Sequence, residues 1–510
     1  MEKAHRLMAA VFMFTVSLVI AGCSDASVDH SEMGSDNSQQ EEQSQESEEA
    51  NEEGKKVFNL DVTEEHWMFN DEIMSTAWTY NGTLPGEEIR VQEGDEVVVH
   101  VTNSLDVPTA LHLHGFPVPN EMDGVPGVTQ NAIMPGEEFT YEYQSDVPGT
   151  YWYHSHQDGA TQVDKGLYGV FIVEPANQES YDVDEVVVID EFASSEMDMG
   201  GIDHGGMDMG DMEHGDMDMD GMTHAEMMNA MYDTMVVNGK ASPQIESIDV
   251  EEGNKVKLRF VNAGLFTQVV SIPEHSFKIT HYDGQAVNEP DVLNDTAFRI
   301  APAERYDVEI EMDNPGAWEI QVFAEENQER LNALIPLVYD GYEGEELQTV
   351  ESISSFFDLT TYGEAEELNV GEITKEYDML LGSDDGGETF TINDKQFPDH
   401  EIYEVEEGDV VKVTIANDTD FDHPMHLHGE FFNVISKDGN PIQGSPVLKD
   451  TLNVRPGETY EIVFEAKNPG NWMFHCHEFH HANGGMVAEV RYKGFEPTFT
   501  PDPNVPNKPE

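Results

Sequence analysis

One of the two cysteines in this 510-residue chain, Cys476, stands between two histidines in the tripeptide His475-Cys476-His477. Successive residues of a β-strand point to opposite faces, so the two imidazoles would share one face and the thiol would take the other. Imidazole suits copper, zinc, iron and nickel, and thiolate suits copper, zinc and iron–sulfur clusters. The tripeptide therefore predicts two separate metal sites, one on each face of a single strand.

Histidine pairs of the form His-x-His occur four times. The pairs are His112/His114, His154/His156, His426/His428 and His475/His477. On a strand each pair directs two rings to the same side, and eight convergent rings are too many for one metal ion. The pattern predicts a metal cluster. Ordinary core or surface histidines are the competing interpretation, which is disfavoured because each buried imidazole needs a polar partner.

Three residues near Cys476 or upstream of it complete a second donor set. His423 and His481 offer imidazoles, and Met486 offers a thioether. Two histidines, one thiolate and a weak axial methionine form the donor set of a blue-copper electron-transfer site. Because Cys476 is one residue from each neighbouring histidine, the backbone would give a short electron path from this site to the cluster.

Internal repeats indicate the elements that position these residues. A Val-Glu/Gln-Glu-Gly turn followed by an alternating β-branched run begins at Val91, Val250 and Val405. A Pro turn, a strand, a Pro-Gly turn and an aromatic strand follow in each copy. Many short strands with regular turns predict β-sandwiches, and we place three of them at residues 57–178, 181–345 and 370–497. The middle copy lacks the histidine pairs and is expected to be a spacer.

The N-terminus has the features of an export signal. Lys3 and Arg6 precede a short apolar run that ends in Ile-Ala-Gly-Cys at Cys23, which resembles a bacterial lipobox. Residues 1–22 are then a signal peptide, Cys23 carries lipid, and residues 23–56 form a disordered acidic tether. A plain signal peptide with an incidental cysteine is the alternative. The first interpretation predicts a protein outside the bacterial membrane, held to it by lipid.

The formal net charge is −79, with 103 acidic and 24 basic residues. Such a chain repels nucleic acid, which excludes that partner. The charge leaves three interpretations open: a solvated surface, adaptation to high salt or alkali, and attraction of cations.

Four motifs carry a resemblance to a known family. HLHG, YHSH, HPMHLHG and HCHEFHHANGGM, in this order, resemble the copper-binding motifs of three-domain bacterial multicopper oxidases, both laccase-like enzymes and copper-resistance cuprous oxidases. The resemblance implies an all-β fold of three cupredoxin-like Greek-key β-sandwich domains. It also implies oxidation of a substrate one electron at a time at a type 1 copper, and reduction of O₂ to water at a trinuclear cluster.

The same resemblance implies which residues bind the four copper ions. Type 1 copper would take His423, Cys476, His481 and Met486, and type 2 copper would take His112 and His426. The type 3 pair would take His114, His154, His156, His428, His475 and His477.

Acidic residues near the cluster matter because O₂ reduction consumes protons. Asp123 matches the place of a family carboxylate thought to relay protons, although a turn aspartate before Gly124 is an equally simple interpretation. Ala482 stands where many relatives carry an acid, which puts a second proton route in doubt. We expect Glu478 to be a solvated side chain rather than a substitute, and His480 to be a spare histidine outside the ligand sets.

A methionine-rich insert occupies residues 194–235 and holds 12 of the 25 methionines. Thioethers favour Cu(I), and the insert resembles the Met-rich segments of copper-resistance members of the family. A loop without a role is the alternative. Four of its methionines, Met227, Met228, Met231 and Met235, have the spacing of a short helix and are expected to pack against the core.

The sequence therefore predicts a lipid-anchored multicopper oxidase that acts as a monomer on Cu(I) in copper detoxification. A laccase acting on phenols or aromatic amines is one alternative, and oxidation of Fe(II) or Mn(II) is another. A Met-rich copper storage or chaperone lipoprotein is the alternative from a different class.

Overall fold

The computed structural model describes residues 54–177, 180–193, 224–349, 353–384, 387 and 389–509. The expected signal peptide, Cys23 and nearly all of the acidic tether lie outside the described residues, as do residues 194–223 of the methionine-rich insert. Within the described residues, no helix is long and apolar enough to cross a membrane.

The first pair of sheets is built from eight strands. These are β1 (Lys56–Met68), β2 (Met74–Tyr80), β3 (Gly86–Gln92), β4 (Glu96–Asn103), β5 (His112–His114), β6 (Glu138–Gln144), β7 (Gly149–His154) and β8 (Tyr168–Glu174). One sheet has the order β2-β1-β4-β6 and the other β3-β8-β7-β5. The second sheet therefore carries two strands with histidines, β5 and β7, side by side.

The second pair of sheets has six strands in each. The strands are β9 (Val183–Phe192), β10 (Thr234–Val237), β11 (Ile248–Val250), β12 (Lys255–Asn262), β13 (Gln268–Ser271), β14 (Phe277–Tyr282), β15 (Gln285–Ala286), β16 (Thr296–Ile300), β17 (Arg305–Glu311), β18 (Ala317–Ala324), β19 (Asn332–Tyr339) and β20 (Ser355–Phe356). Their orders are β10-β9-β12-β17-β14-β15 and β11-β19-β18-β13-β16-β20.

The third pair of sheets has seven and five strands. The strands are β21 (Lys375–Ser383), β22 (Phe390–Ile392), β23 (Glu401–Val405), β24 (Val410–Asn417), β25 (His423–Leu427), β26 (Phe432–Lys437), β27 (Asn440–Pro441), β28 (Val447–Lys449), β29 (Thr451–Val454), β30 (Thr459–Glu465), β31 (Asn471–Cys476) and β32 (Val487–Tyr492). The five-stranded sheet has the order β23-β32-β31-β25-β29, and the larger one is β22-β21-β24-β30-β26-β27 with β28 beside β26.

Local sequence explains why the three repeats form equivalent strands. In β24 buried and half-buried residues alternate strictly, as expected for a strand with one face on the core. The turn before it needs a left-handed glycine, and the corresponding Gly94, Gly253 and Gly408 have φ values of 92°, 91° and 86°. The three Val-x-Glu-Gly segments thus fold alike.

Helices are few and short in the described residues. They are the 3₁₀ turn η1 (Asn120–Met122) and the α-helices α1 (Gly159–Gln162), α2 (His224–Met231) and α3 (Phe479–Asn483). Helix α2 confirms the packing role predicted for the methionines, since Met228 and Met231 are buried. Met235 is also buried, but it lies on β10, because the helix ends before it.

The middle pair of sheets is not the spacer that its lack of His-x-His pairs led us to expect. Arg305 of β17 is fully buried and donates two hydrogen bonds, of 2.8 and 2.7 Å, to the carboxylate of Asp450 between β28 and β29. Its Nε donates a third, of 3.2 Å, to the backbone oxygen of Thr150 on β7. One guanidinium thus joins all three pairs of sheets, which the repeat pattern could not reveal.

Replacing Arg305 by methionine should lower the free energy of unfolding by about 3–5 kcal/mol, because it leaves Asp450 as an unpaired buried charge. Arg299→Met is the matched control. Arg299 forms a similar two-bond pair with Glu325, but at the surface, where such pairs contribute about 0–1 kcal/mol. Urea unfolding of the metal-free variants would measure the difference. Equal losses would contradict a structural role for the buried pair.

Candidate metal centre

The histidine pairs meet because their strands are hydrogen-bonded neighbours. On the first domain's sheet, His112 of β5 lies opposite His154 of β7. On the third domain's sheet, His426 of β25 lies opposite His475 of β31. Both sheets direct their histidines towards a common buried space, so the eight rings come from two domains.

One trio consists of His114, His154 and His477, whose nearest ring nitrogens lie within 4.8 Å of one another. Within the described residues, His114 Nδ1, His154 Nε2 and both nitrogens of His477 are buried without a hydrogen-bond partner. Buried polar atoms are normally satisfied. A metal ion among them would bind one nitrogen of each ring.

A second trio consists of His156, His428 and His475. The Nε2 atoms of His428 and His475 are 3.0 Å apart, and the ring centroids of His156 and His475 are 5.3 Å apart. The two trios divide the six expected type 3 residues three and three, a division that the sequence left open.

His112 and His426 complete the eight-histidine cluster. Together with His114 they form a third group of nitrogens within 4.8 Å. The Nε2 atoms of His112 and His426 are also buried, with no hydrogen-bond partner in the described part of the chain. These two Nε2 atoms could therefore bind a further metal ion, in addition to the ions held by the two trios.

Hydrogen bonds on the outer side orient seven of the eight rings. A backbone oxygen accepts from Nδ1 of His112, His154, His156, His426 and His475, at 2.5–3.0 Å. His114 instead uses Nε2 towards Asp450 Oδ1 at 3.1 Å and Thr451 Oγ1 at 3.0 Å, and His428 uses Nδ1 towards Asp123. An outer N–H bonded in this way leaves the other nitrogen as a metal donor.

Burial favours the neutral, metal-binding form of several of these imidazoles. It lowers the pKa of His156 to about 3, and burial together with neighbouring imidazoles puts the pKa of His114, His154 and His428 well below the ordinary value. Metal ions therefore compete with no proton at these rings near neutral pH.

On the opposite face of β31, Cys476 meets a different pair of histidines. Its Sγ lies 3.6 Å from His423 Nδ1 and 3.7 Å from His481 Nδ1, and all three side chains are buried. Met486 is also buried, and its backbone oxygen accepts a 3.1 Å hydrogen bond from the Cys476 N–H. Thr419 Oγ1 lies 2.8 Å from Nε2 of His423 and fixes that ring. The set fits a copper ion better than a disulfide or a packing role.

Asp123 lies at the cluster. Its carboxylate oxygens are 3.0 and 3.1 Å from Nδ1 of His428, and one of them is 3.4 Å from Nδ1 of His112. Asp123 also ends η1. The next residue, Gly124, has a φ of +82°, and a Cβ added to it would lie 1.8 Å from the backbone oxygen of Leu111. The turn role and the contact with cluster histidines therefore coexist in one residue.

Glu478 is not the solvated side chain that we expected. It is 6% exposed, and its carboxylate accepts a 2.7 Å hydrogen bond from the backbone N–H of His481 as the N-cap of α3. Burial raises the pKa of Glu478 to about 8. His480 is half-buried and belongs to none of the donor groups, as expected.

Three supporting residues were missed from the sequence: Arg305, Asp450 and Thr451. Asp450 and Thr451 contact His114, and Arg305 holds Asp450 in place. Burial acts to raise the pKa of Asp450, but the guanidinium of Arg305 holds it well below its ordinary value. The sequence did not indicate a supporting role for Arg305. The equivalent positions in the other two repeats carry Glu138 and Thr459, which suggest no shared function.

A small cavity opens beside His481. Its lining includes Met228 and the acidic residues Glu326, Asp422 and Glu478. The remaining lining residues are Leu265, Phe266, Thr267, Pro302, Phe421 and Pro424. Desolvation and the nearby charge of Asp422 raise the pKa of Glu326. The sequence gave no indication of this cavity, because its acids come from two domains.

Models of the multicopper oxidase family match three stretches of the chain, residues 61–178, 209–342 and 372–494. Multicopper oxidase MmcO of Mycobacterium tuberculosis is 30% identical over 82% of this chain and 84% of its own length. Copper resistance protein A of Pseudomonas syringae pv. tomato is 26% identical over 82% of this chain and 89% of its own.

Among solved structures, the crystal structure of Fet3p, a multicopper oxidase that functions in iron import, matches with a TM-score of 0.71. It is 24% identical and covers 86% of this chain and 90% of Fet3p, and it shares the fold of three cupredoxin-like β-sandwiches. The expected fold class and the implied set of four copper ions are confirmed. The chain belongs to the multicopper oxidase family, whose members use O₂ to oxidise metal ions or phenols.

Proposed function

We propose that this multicopper oxidase oxidises Cu(I), and that the cavity beside His481 receives the ion. The observation that carries the proposal is the cavity lining, in which Met228 and the acidic residues Glu326 and Asp422 lie next to a candidate type 1 ligand, His481. Carboxylates attract a cation, and a thioether adds preference for the cuprous state.

In this proposal type 1 copper is held by His423, Cys476, His481 and Met486. Type 2 copper is held by His112 and His426, and the type 3 pair is held by the two trios described above. When bound, copper supplies one-electron oxidation at the first site and reduction of O₂ to water at the cluster. The chain itself connects the two, since Cys476 is adjacent to His475 and His477.

The size of the cavity favours an ion over an aromatic substrate. The cavity encloses about 50 Å³, whereas an engineered cavity that binds benzene encloses about 150 Å³. A phenol would have to remain at the mouth, where Glu326 is exposed. This favours a metallo-oxidase over the laccase alternative.

The methionine-rich insert supports the same substrate from the sequence. Residues 197–224 contain eight methionines interleaved with aspartates and histidines, and they lead directly into α2, which places Met228 in the cavity lining. One relative carries the name Copper resistance protein A. In our proposal this segment gathers cuprous ions for the cavity and hinders bulky organic substrates.

Fe(II) oxidation is the second candidate, because carboxylates outnumber thioethers in the cavity. Fet3p, which matches in fold, is described as functioning in iron import.

Asp123 is proposed as a proton relay to the cluster, on the strength of its contacts with His428 and His112. Lipid attachment at Cys23 outside the cell membrane, and a monomeric state, are parts of the same proposal.

The Cys476→Ser variant tests the type 1 assignment. The copper-loaded protein should show the intense thiolate-to-Cu(II) absorption, and the variant should lose both this absorption and turnover, since serine supplies no thiolate. Visible absorption and O₂ uptake measure the two effects. A variant that kept its colour and its O₂ uptake would refute the assignment.

Deleting residues 197–224 should lower the rate of Cu(I) oxidation while sparing or raising oxidation of small phenols. A control variant changes the eight methionines between 197 and 222 to leucine, which removes the thioethers and keeps the length of the segment. If thioethers gather the ion, both variants lose Cu(I) oxidation, whereas only the deletion opens the site to phenols. Unchanged steady-state Cu(I) kinetics in the deletion variant would show that this segment does not gather the substrate ion.

Glu326→Gln should raise the KM for a metal-ion substrate by about fivefold, corresponding to about 1 kcal/mol for one lost charge at a partly exposed site. The control is Glu329→Gln, an exposed glutamate on the same loop that does not line the cavity. Steady-state comparison of Cu(I), Fe(II), Mn(II) and an uncharged phenol would also rank the substrates. Equal effects of the two substitutions would show that the cavity does not receive the ion.

A further inference from the structure

The segment 502–509 leaves the third domain and lies against the first. The N–H of Asp502 donates to Asn131 Oδ1 at 3.0 Å, and Asn507 Oδ1 accepts from the N–H of Ala132 at 2.8 Å. Its backbone is therefore tied to a loop of the first domain by specific hydrogen bonds.

Gln157, the neighbour of a cluster histidine, holds this segment at two points. Its Nε2 donates to the backbone oxygen of Pro506 at 3.0 Å, and its Oε1 accepts from the N–H of Lys508 at 2.9 Å. Gln157 is 5% exposed, so both bonds are made by a buried side chain. The N–H of Asp158 adds a third bond, of 2.9 Å, to the oxygen of Lys508.

These bonds place the backbone oxygen of Pro509 against His156. The oxygen accepts a 2.5 Å hydrogen bond from Nδ1 of His156 across 353 positions of sequence. A carbonyl oxygen only accepts, so Nδ1 must carry the proton and Nε2 must carry the lone pair. Nε2 is then the nitrogen of this ring that can serve its trio with His428 and His475.

His156 differs in this respect from the four other rings whose outer partner is a backbone oxygen. The outer partners of His112, His154, His426 and His475 are backbone oxygens within the same domain. The partner of His156 lies on a segment that belongs to no strand or helix. Its orientation therefore depends on whether that segment is in place.

We propose that residues 502–509 are a positioning segment for the cluster, in which the Pro509 carbonyl fixes the tautomer and direction of His156. The segment supplies no ligand and does no chemistry. Without it Nδ1 of His156 loses the acceptor that fixes the tautomer of the ring, and the trio with His428 and His475 is less well oriented. Loss of such outer partners typically lowers metal affinity or activity 10- to 100-fold.

The test uses the copper-loaded chain shortened after Val505. We expect the thiolate absorption of type 1 copper and its reduction by substrate without O₂ to be unchanged, because Cys476 and its partners are untouched. The near-ultraviolet absorption of the coupled type 3 pair should fall, and paramagnetic resonance should show newly uncoupled copper. Affinity of the pair for copper should drop about 10- to 100-fold.

Two further variants distinguish positioning from general stability. Lys508→Ala removes only the exposed 2.5 Å ion pair with Asp158 and should leave every copper signal unchanged. Gln157→Ala keeps the full length but removes two anchors, and it should reproduce the loss of type 3 coupling if the shortened chain does not fold. A type 3 absorption and copper content equal to those of the full chain, in either the shortened chain or Gln157→Ala, would overturn the proposal.

Discussion

The structure depends on the burial of eight imidazoles that must each present one particular nitrogen to a common space. A buried imidazole has one nitrogen that donates and one that accepts, and an outer acceptor decides which is which. Short bonds such as those from His112 to the oxygen of Asp123 and from His154 to the oxygen of Ser155 make that choice in the folded chain. Burial lowers the pKa of rings such as His154 and His428, so these imidazoles stay neutral and able to bind metal.

This requirement explains why the domain that lacks the His-x-His pairs still supports the centre. Arg305 of that domain pairs with Asp450, and Asp450 contacts His114. The same guanidinium bonds Thr150, next to the strand residues that lead to His154. A buried ion pair is weak evidence for stability alone, but here its geometry sets the position of cluster ligands contributed by two other domains.

A single strand separates the chemistry of the substrate from that of O₂. Cys476 faces His423 and His481, and the cavity with its carboxylates lies on that side. His475 and His477 face the cluster, where Asp123 is buried among histidines. Electrons can pass along one residue of backbone, whereas a cation in the cavity never has to reach the O₂ site.

The sequence by itself determined the all-β repeats and the candidate donors, because strand periodicity and His-x-His spacing are local properties of the chain. It did not determine how six histidines divide into two trios, nor that Glu478 is buried. Arg305 and Pro509 also gave no sequence signal, since an ordinary arginine and a backbone carbonyl become supports only through contacts 145 and 353 positions away. Tertiary structure decided these features because burial and hydrogen-bond partners depend on which distant strands and segments meet.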